Sequence, residues 1–153
     1  KKHRIKNTSI LIRTHQSMAC TMINANKSLT HREYELFYSY NELLNCIEED
    51  IYDLIQSFES MEYTQGERIM DDLVDAFIQI DTTHSGMFHV AGDDEHLQNQ
   101  ILLFDQIIGE LKPFTLNKDD TLSFQIYIKD ELSVLFIQWK NEVQAYLSPY
   151  LLH

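Results

Sequence analysis

Glycine, proline and cysteine are all scarce in this chain. Its 153 residues include four glycines and two prolines, whereas 44% of them are hydrophobic. Sandwiches and barrels need many turns that draw on glycine and proline, so this composition argues against a β-rich fold and favours long helices. A chain of this length is also the size of one ordinary domain. We therefore expect an all-α fold.

The cysteines and the apolar runs exclude further classes of protein. Cys20 and Cys46 form no Cys-x-x-Cys pair, so the sequence indicates neither a zinc nor a redox site of that kind, and a reduced cytoplasmic location is expected. No stretch reaches the roughly 18 apolar residues that a membrane span needs. Phosphate-binding glycine loops, Gly-x-Ser-x-Gly elbows and Glu-x-x-His motifs are absent too. We therefore predict a non-catalytic protein without a cofactor or a membrane partner.

Acidic residues are missing from one part of the chain and basic residues are rare in the other. The first 32 residues contain seven Lys and Arg and no Asp or Glu, whereas Glu33 onward contains all 24 acidic residues and only five basic ones. Such a split indicates two segments with different partners. We predict a basic N-terminal segment, residues 1–29, docked on an acidic helical bundle, residues 30–153.

Apolar residues at helical spacing predict the first two helices. Thr30 and Glu33 have the spacing of a capping box, and Thr64 and Glu67 repeat it, so a helix is expected to start at each. The two apolar stripes consist of Phe37, Leu44, Ile47, Ile51, Leu54, Ile55 and Phe58, then of Met70, Leu73, Val74, Phe77 and Ile80. Only a few residues separate these helices, so they should be antiparallel neighbours.

Residues 81–92 form a polar stretch that predicts a loop, and two further helices are expected after it. The expected caps and stops of these helices are Asp93 or Asp94, Pro113, Asn117 or Asp119, and Pro149. Residues 122–128 alternate with a period of two, a strand signal, but the helical pattern continues beyond them and is preferred. The result is an up-down four-helix bundle. Its order of long, short, short and long helices resembles that of bacterial flagellar export chaperones, which implies an escort role.

The basic segment has two interpretations. Residues 9–13 and 18–23 are apolar and partly β-branched, which favours a β-hairpin packed on the bundle. They also fit one face of a helix through Leu11, His15, Met18 and Met22. We favour the hairpin.

Residues 81–96 hold the densest group of potential metal ligands. Two Asp-x-x-His units, Asp81 with His84 and Asp93 with His96, offer mixed oxygen and nitrogen ligands to a divalent transition metal. The alternative is a polar surface loop whose acids cap the third helix, and that interpretation is preferred because no recognised ligand spacing is met.

The leading functional hypothesis is an acidic, non-catalytic helical protein that binds or sequesters a basic protein partner, as an inhibitor, immunity protein, adaptor or export chaperone does. Its expected partner-binding residues are Glu48, Glu49, Asp50, Asp53, Asp71, Asp72, Asp75, Tyr150, Leu151 and Leu152. The last three lie beyond the Pro149 stop and would form an apolar interface if they do not fold back, which leaves a homodimer open. The alternatives are binding of nucleic acid or an acidic partner through the basic segment, and a metalloprotein that uses residues 81–96.

Overall fold

The computed structural model describes residues 28–116 and 121–152, with the backbone alone for 112–116. These residues form helices and contain no strand, so the all-α prediction is confirmed for the described part of the chain. The helices are α1 (His31–Glu59), α2 (Tyr63–Ala91), α3 (Glu95–Leu116), α4 (Thr121–Tyr127) and α5 (Ser133–Leu151). A π-helical turn, Ile128–Leu132, joins α4 to α5 without a break, and we call these three segments together the C-terminal helix.

Two of the predicted helix starts are confirmed and one is wrong. At α1 the Thr30 hydroxyl accepts from the Glu33 amide at 3.3 Å, and the Glu33 carboxylate accepts from the Thr30 amide at 2.7 Å. At α3 the Asp94 carboxylate accepts from the amides of residues 96 and 97. At α2 the capping box at Thr64 does not form, because the helix already begins at Tyr63 and has no side-chain cap.

The polar stretch 81–92 is not a loop, because α2 continues through it to Ala91. The helix buries a residue every three or four positions, namely Leu73, Phe77, Ile80, His84, Met87 and Val90. The loop prediction was wrong because it counted His84 as a polar surface residue, whereas the imidazole occupies a core position. Gly92 then ends the helix with a φ of 58°, which glycine adopts without steric cost.

The prolines do not stop the later helices. Helix α3 runs through Pro113 to Leu116, and α5 runs through Pro149 to Leu151. Each proline lies in the last turn of its helix, where the missing N–H removes only one backbone hydrogen bond. In α5, the buried Leu147 also helps to hold this last turn in place. Residues 121–132 are helical, as preferred over a strand. The suggested caps Asn117 and Asp119 lie outside the described residues.

The helices enclose one core. Helix α1 contacts α2 and α5, and α3 contacts α2 and α5. Phe77, Phe104, Phe136 and Trp139 meet at the centre, with ring centroids 4.9 to 6.1 Å apart. Helices α1 and α2 approach closely at Gly66, where an added Cβ would lie 2.8 Å from the Ser57 hydroxyl.

Helix lengths differ from the expected order. Helices α1 and α2 have 29 residues each, so the second helix is not short. The likeness to the order of flagellar export chaperones does not hold in this respect. Within residues 28–116 and 121–152, none of the helices combines the length and the hydrophobicity that a membrane span requires. The predicted hairpin, and all of the basic segment up to residue 27, lie outside the described residues.

Candidate functional site

Acidic residues from two helices converge on one surface. Burial raises the pKa of Asp50 on α1, and the neighbouring charges of Asp72, Asp53 and Glu49 raise it further. Asp72 belongs to α2, so the fold brings together two acidic groups that are far apart in the sequence. We call Glu49, Asp50, Asp53 and Asp72 the acidic face. Asp71 and Asp75 are exposed on α2 close to Asp72 in the sequence.

Within the part of the chain that the structure describes, no ion pair involves the acidic face. The ion pairs among the described residues join His31 to Glu35, Lys129 to Glu59 and Lys140 to Glu48, and none includes a member of the face. Glu48, predicted to belong to the partner surface, is held instead by the Lys140 ammonium, which is 7% exposed. The structure therefore separates Glu48 from its sequence neighbours Glu49 and Asp50.

A groove lies at the turn between α1 and α2, next to the acidic face. It has a volume of about 650 Å³, and Met61, Tyr63, Arg68, Ile69 and Asp72 are among its lining residues. The Met61 and Tyr63 side chains are 73% and 53% exposed. The sequence placed Met61 and Tyr63 in the short connection between the first two helices and did not predict a groove there.

The C-terminal residues are mostly packed within the molecule. Because α5 continues past Pro149, the Tyr150 ring stands edge-on to Phe37 at 5.5 Å, and Leu151 packs against the core. Leu152 alone of the predicted three is exposed, at 80%. The predicted apolar interface at residues 150–152 required that these residues do not fold back. Tyr150 and Leu151 do fold back, so they do not meet that condition.

The four predicted metal ligands do not meet at one point. Asp81 and His84 lie together on α2, and Asp105 of α3 joins them. Asp93 and His96 lie instead at the turn between α2 and α3, where the His96 ring lies 5.9 Å from that of Tyr146. Asp105 was missed because it lies 21 positions after His84 and no local spacing pointed to it.

His84 is buried between α1, α3 and α5. Its Nε2 atom lies 2.8 Å from the Tyr40 hydroxyl, while its ring is 5.0 Å from that of Phe104 and 6.5 Å from that of Trp139. Burial lowers the pKa of His84 to about 4, against the opposing effect of the Asp81 and Asp105 charges. The imidazole is therefore neutral at pH 7. The same burial raises the pKa of the Tyr40 phenol.

Replacing Asp50 with asparagine should raise the free energy of unfolding at pH 7 by a small amount. The native pKa of Asp50 lies above its unfolded value of 3.8, so the carboxyl group favours the folded state below that value and loses this contribution as the pH rises through the native pKa. The gain of Asp50→Asn over the natural protein should therefore shrink as the pH falls toward 4. Urea unfolding at several pH values measures it.

The matched control is the exposed Asp130, which lies on the π-helical turn. Its charge interacts favourably with Lys129 and raises the pKa of that lysine, whereas the charges around Asp50 repel it. Asp130→Asn should give no gain at any pH. An equal gain from both variants would show that relief of total negative charge, rather than local repulsion at the acidic face, is responsible.

Comparisons with known proteins place these residues in a shared region. A family model described as "Domain of unknown function (DUF8042)" matches residues 35–142, a range that includes the acidic face and Asp81, His84 and Asp105. The chain is similar to "Uncharacterized protein YvzG" of Bacillus subtilis (strain 168), with 29% identity over 121 residues that cover 79% of this chain and 96% of that protein. No solved structure matches the chain significantly.

Proposed function

Because the chain belongs to the DUF8042 family, a domain of unknown function, we propose a function from its own surface: a non-catalytic acidic helical protein that binds a basic protein partner through the acidic face. The observation that carries this proposal is the convergence of Asp50, Asp53 and Asp72 from two helices, where none of them forms an ion pair with a residue that the structure describes. Ionised together, these groups repel one another. A basic partner would relieve that repulsion on binding. The relief would then contribute to the free energy of binding.

The groove beside the acidic face combines Met61, Tyr63 and Ile69 with polar and charged residues, and these three would supply the apolar contacts of such an interface. Protein interfaces are enriched in tyrosine, methionine and arginine and depleted of charge at their centre. Met61, Tyr63 and Arg68 line the groove, and Asp72 belongs to both surfaces. We propose that the groove receives an apolar side chain of the partner, while the acidic face binds its lysine and arginine residues.

The remaining parts of the proposal concern architecture and role. The contacts of Tyr40 with His84, Phe77 with Phe104 and Phe37 with Tyr150 support an up-down order of antiparallel helices. An inhibitor, immunity protein or adaptor located in the cytoplasm fits a small acidic bundle of this kind. The same acidic surface would repel the phosphates of a nucleic acid.

The test is a pull-down from extract of the source cells at low and then raised salt, with the eluted proteins identified by mass spectrometry. The variant is the triple substitution Asp50→Asn, Asp53→Asn and Asp72→Asn. The control, Glu110→Gln with Asp130→Asn and Glu131→Gln, removes the same amount of charge from exposed residues elsewhere. We expect the natural protein and the control to retain one basic protein that salt releases, since salt screens exposed charges, and the triple variant to lose it.

Retention of the same protein by the triple variant would refute binding through the acidic face. Recovery of nucleic acid would favour the basic segment as the binding surface, and recovery of the chain alone would favour self-association. If the pull-down recovers a basic protein, that protein, once purified, should bind the natural protein with a strongly salt-dependent association rate.

A further inference from the structure

Asp81, His84 and Asp105 bring three potential metal ligands together between α2 and α3. One carboxylate oxygen from each aspartate and one ring nitrogen of His84 all lie within 4.8 Å of one another. Ligand atoms around a zinc ion, at about 2.0 to 2.2 Å from the metal, are separated by roughly 3.4 Å. Both aspartates are exposed, so their carboxylates are free of the core packing that holds the His84 ring.

His84 supplies the observation that distinguishes this cluster from an ordinary acidic surface. The residue is 5% exposed, its Nε2 atom contacts the Tyr40 hydroxyl at 2.8 Å, and its Nδ1 atom has no hydrogen-bond partner among the described residues. Leaving a buried polar atom unpaired costs on the order of 1 to 3 kcal/mol. A ligand at Nδ1 would remove that cost.

The Tyr40 contact prepares the ring for such a ligand. When the proton resides on Nε2 and is donated to the Tyr40 oxygen, Nδ1 presents its lone pair. Metal-binding histidines commonly donate their second N–H to an oxygen in this way, which fixes the tautomer and the ring orientation. Tyr40 is 1% exposed, so its position on α1 is fixed by the core.

We propose that Asp81, His84 and Asp105 bind one divalent transition-metal ion, with zinc as the best fit. An imidazole with two carboxylates suits zinc and related ions, whereas calcium requires six to eight oxygen ligands. Three protein ligands leave room for water, as in open rather than closed zinc sites. Both aspartates also line a groove of about 390 Å³, together with Ile78, Ile108 and Gly109.

The test uses the full chain, freed of metal by a chelator and carrying no histidine tag. Calorimetric titration with Zn²⁺ should give one ion per chain. Trp139 is the only tryptophan, and its ring lies 6.5 Å from that of His84, so Ni²⁺ bound at the site should quench the intrinsic fluorescence. Asp105→Asn, which changes an exposed residue, should raise the Kd for Zn²⁺ by at least about tenfold, and His84→Gln should abolish the quenching.

His96→Gln is the matched control, since His96 is an exposed histidine outside the cluster. It should bind Zn²⁺ as the natural protein does, and so should the triple variant of the acidic face, which keeps this inference separate from the proposed function. Unchanged affinity in Asp105→Asn, an equal loss in His96→Gln, substoichiometric zinc or displacement of zinc by Ca²⁺ would each overturn the assignment.

Discussion

Replacing Glu48 with alanine should lower the free energy of unfolding by about 3 kcal/mol, because removal of one partner leaves the other charge buried and unpaired. The Lys140 side chain is 7% exposed, and the Glu48 carboxylate is the acidic group that pairs with it. Alanine leaves the ammonium in the interface between α1 and α5 without a counter-charge. Urea unfolding at pH 7 measures the loss.

Two further variants isolate the cause of this loss. Replacing both partners by apolar residues of similar size, Glu48→Leu with Lys140→Met, should restore most of the stability, because no unpaired charge remains. The exposed pair of Lys129 with Glu59 is the control, and Glu59→Ala should produce no measurable loss. If the double variant is as unstable as Glu48→Ala, packing rather than charge accounts for the effect.

Replacing Trp139 with alanine should lower the free energy of unfolding by about 4 kcal/mol. The indole is 4% exposed and packs against Phe104 and Phe136 at 4.9 and 5.8 Å. Its Nε1 atom also donates to the Gln100 carbonyl at 2.6 Å, which ties α5 to α3. Alanine removes the packing and the hydrogen bond and leaves a cavity where the aromatic rings meet.

Trp139→Phe divides this loss into its parts. Phenylalanine fills most of the space but cannot donate to Gln100, so we expect a loss of about 1 to 2 kcal/mol. Thermal unfolding followed by circular dichroism suits both variants, since neither retains the tryptophan whose fluorescence would otherwise report unfolding. A loss in Trp139→Phe as large as that in Trp139→Ala would show that the hydrogen bond, and not the packing, dominates.

Local signals in the sequence were reliable where the determining contacts are local. The capping box at Thr30 and the cap at Asp94 involve residues two or three positions apart, so spacing predicts the first and narrows the second to Asp93 or Asp94. The apolar stripe of α1 is likewise confirmed, since a residue that faces the core recurs every three or four positions. The same reasoning failed at Thr64, because α2 begins before it.

The stops of the helices were predicted less well, because packing overrides local preference there. Pro113, Pro149 and the polar residues 81–92 all indicate an end to a helix in isolation. In the folded chain, burial of His84, Met87 and Val90 stabilises the helical conformation of α2 up to Ala91. The contact of Tyr150 with Phe37 likewise stabilises the last turn of α5.

The sequence by itself determined the all-α class, the helical register and the excess of acid, because these depend on composition and on neighbours within one turn. Only the tertiary structure decided which acids act together. It placed Asp72 beside Asp50, paired Glu48 with Lys140 and added Asp105 to Asp81 and His84. Each of these contacts crosses from one helix to another, and the order in which amphipathic helices pack is set by the shape of the shared core rather than by spacing along the chain.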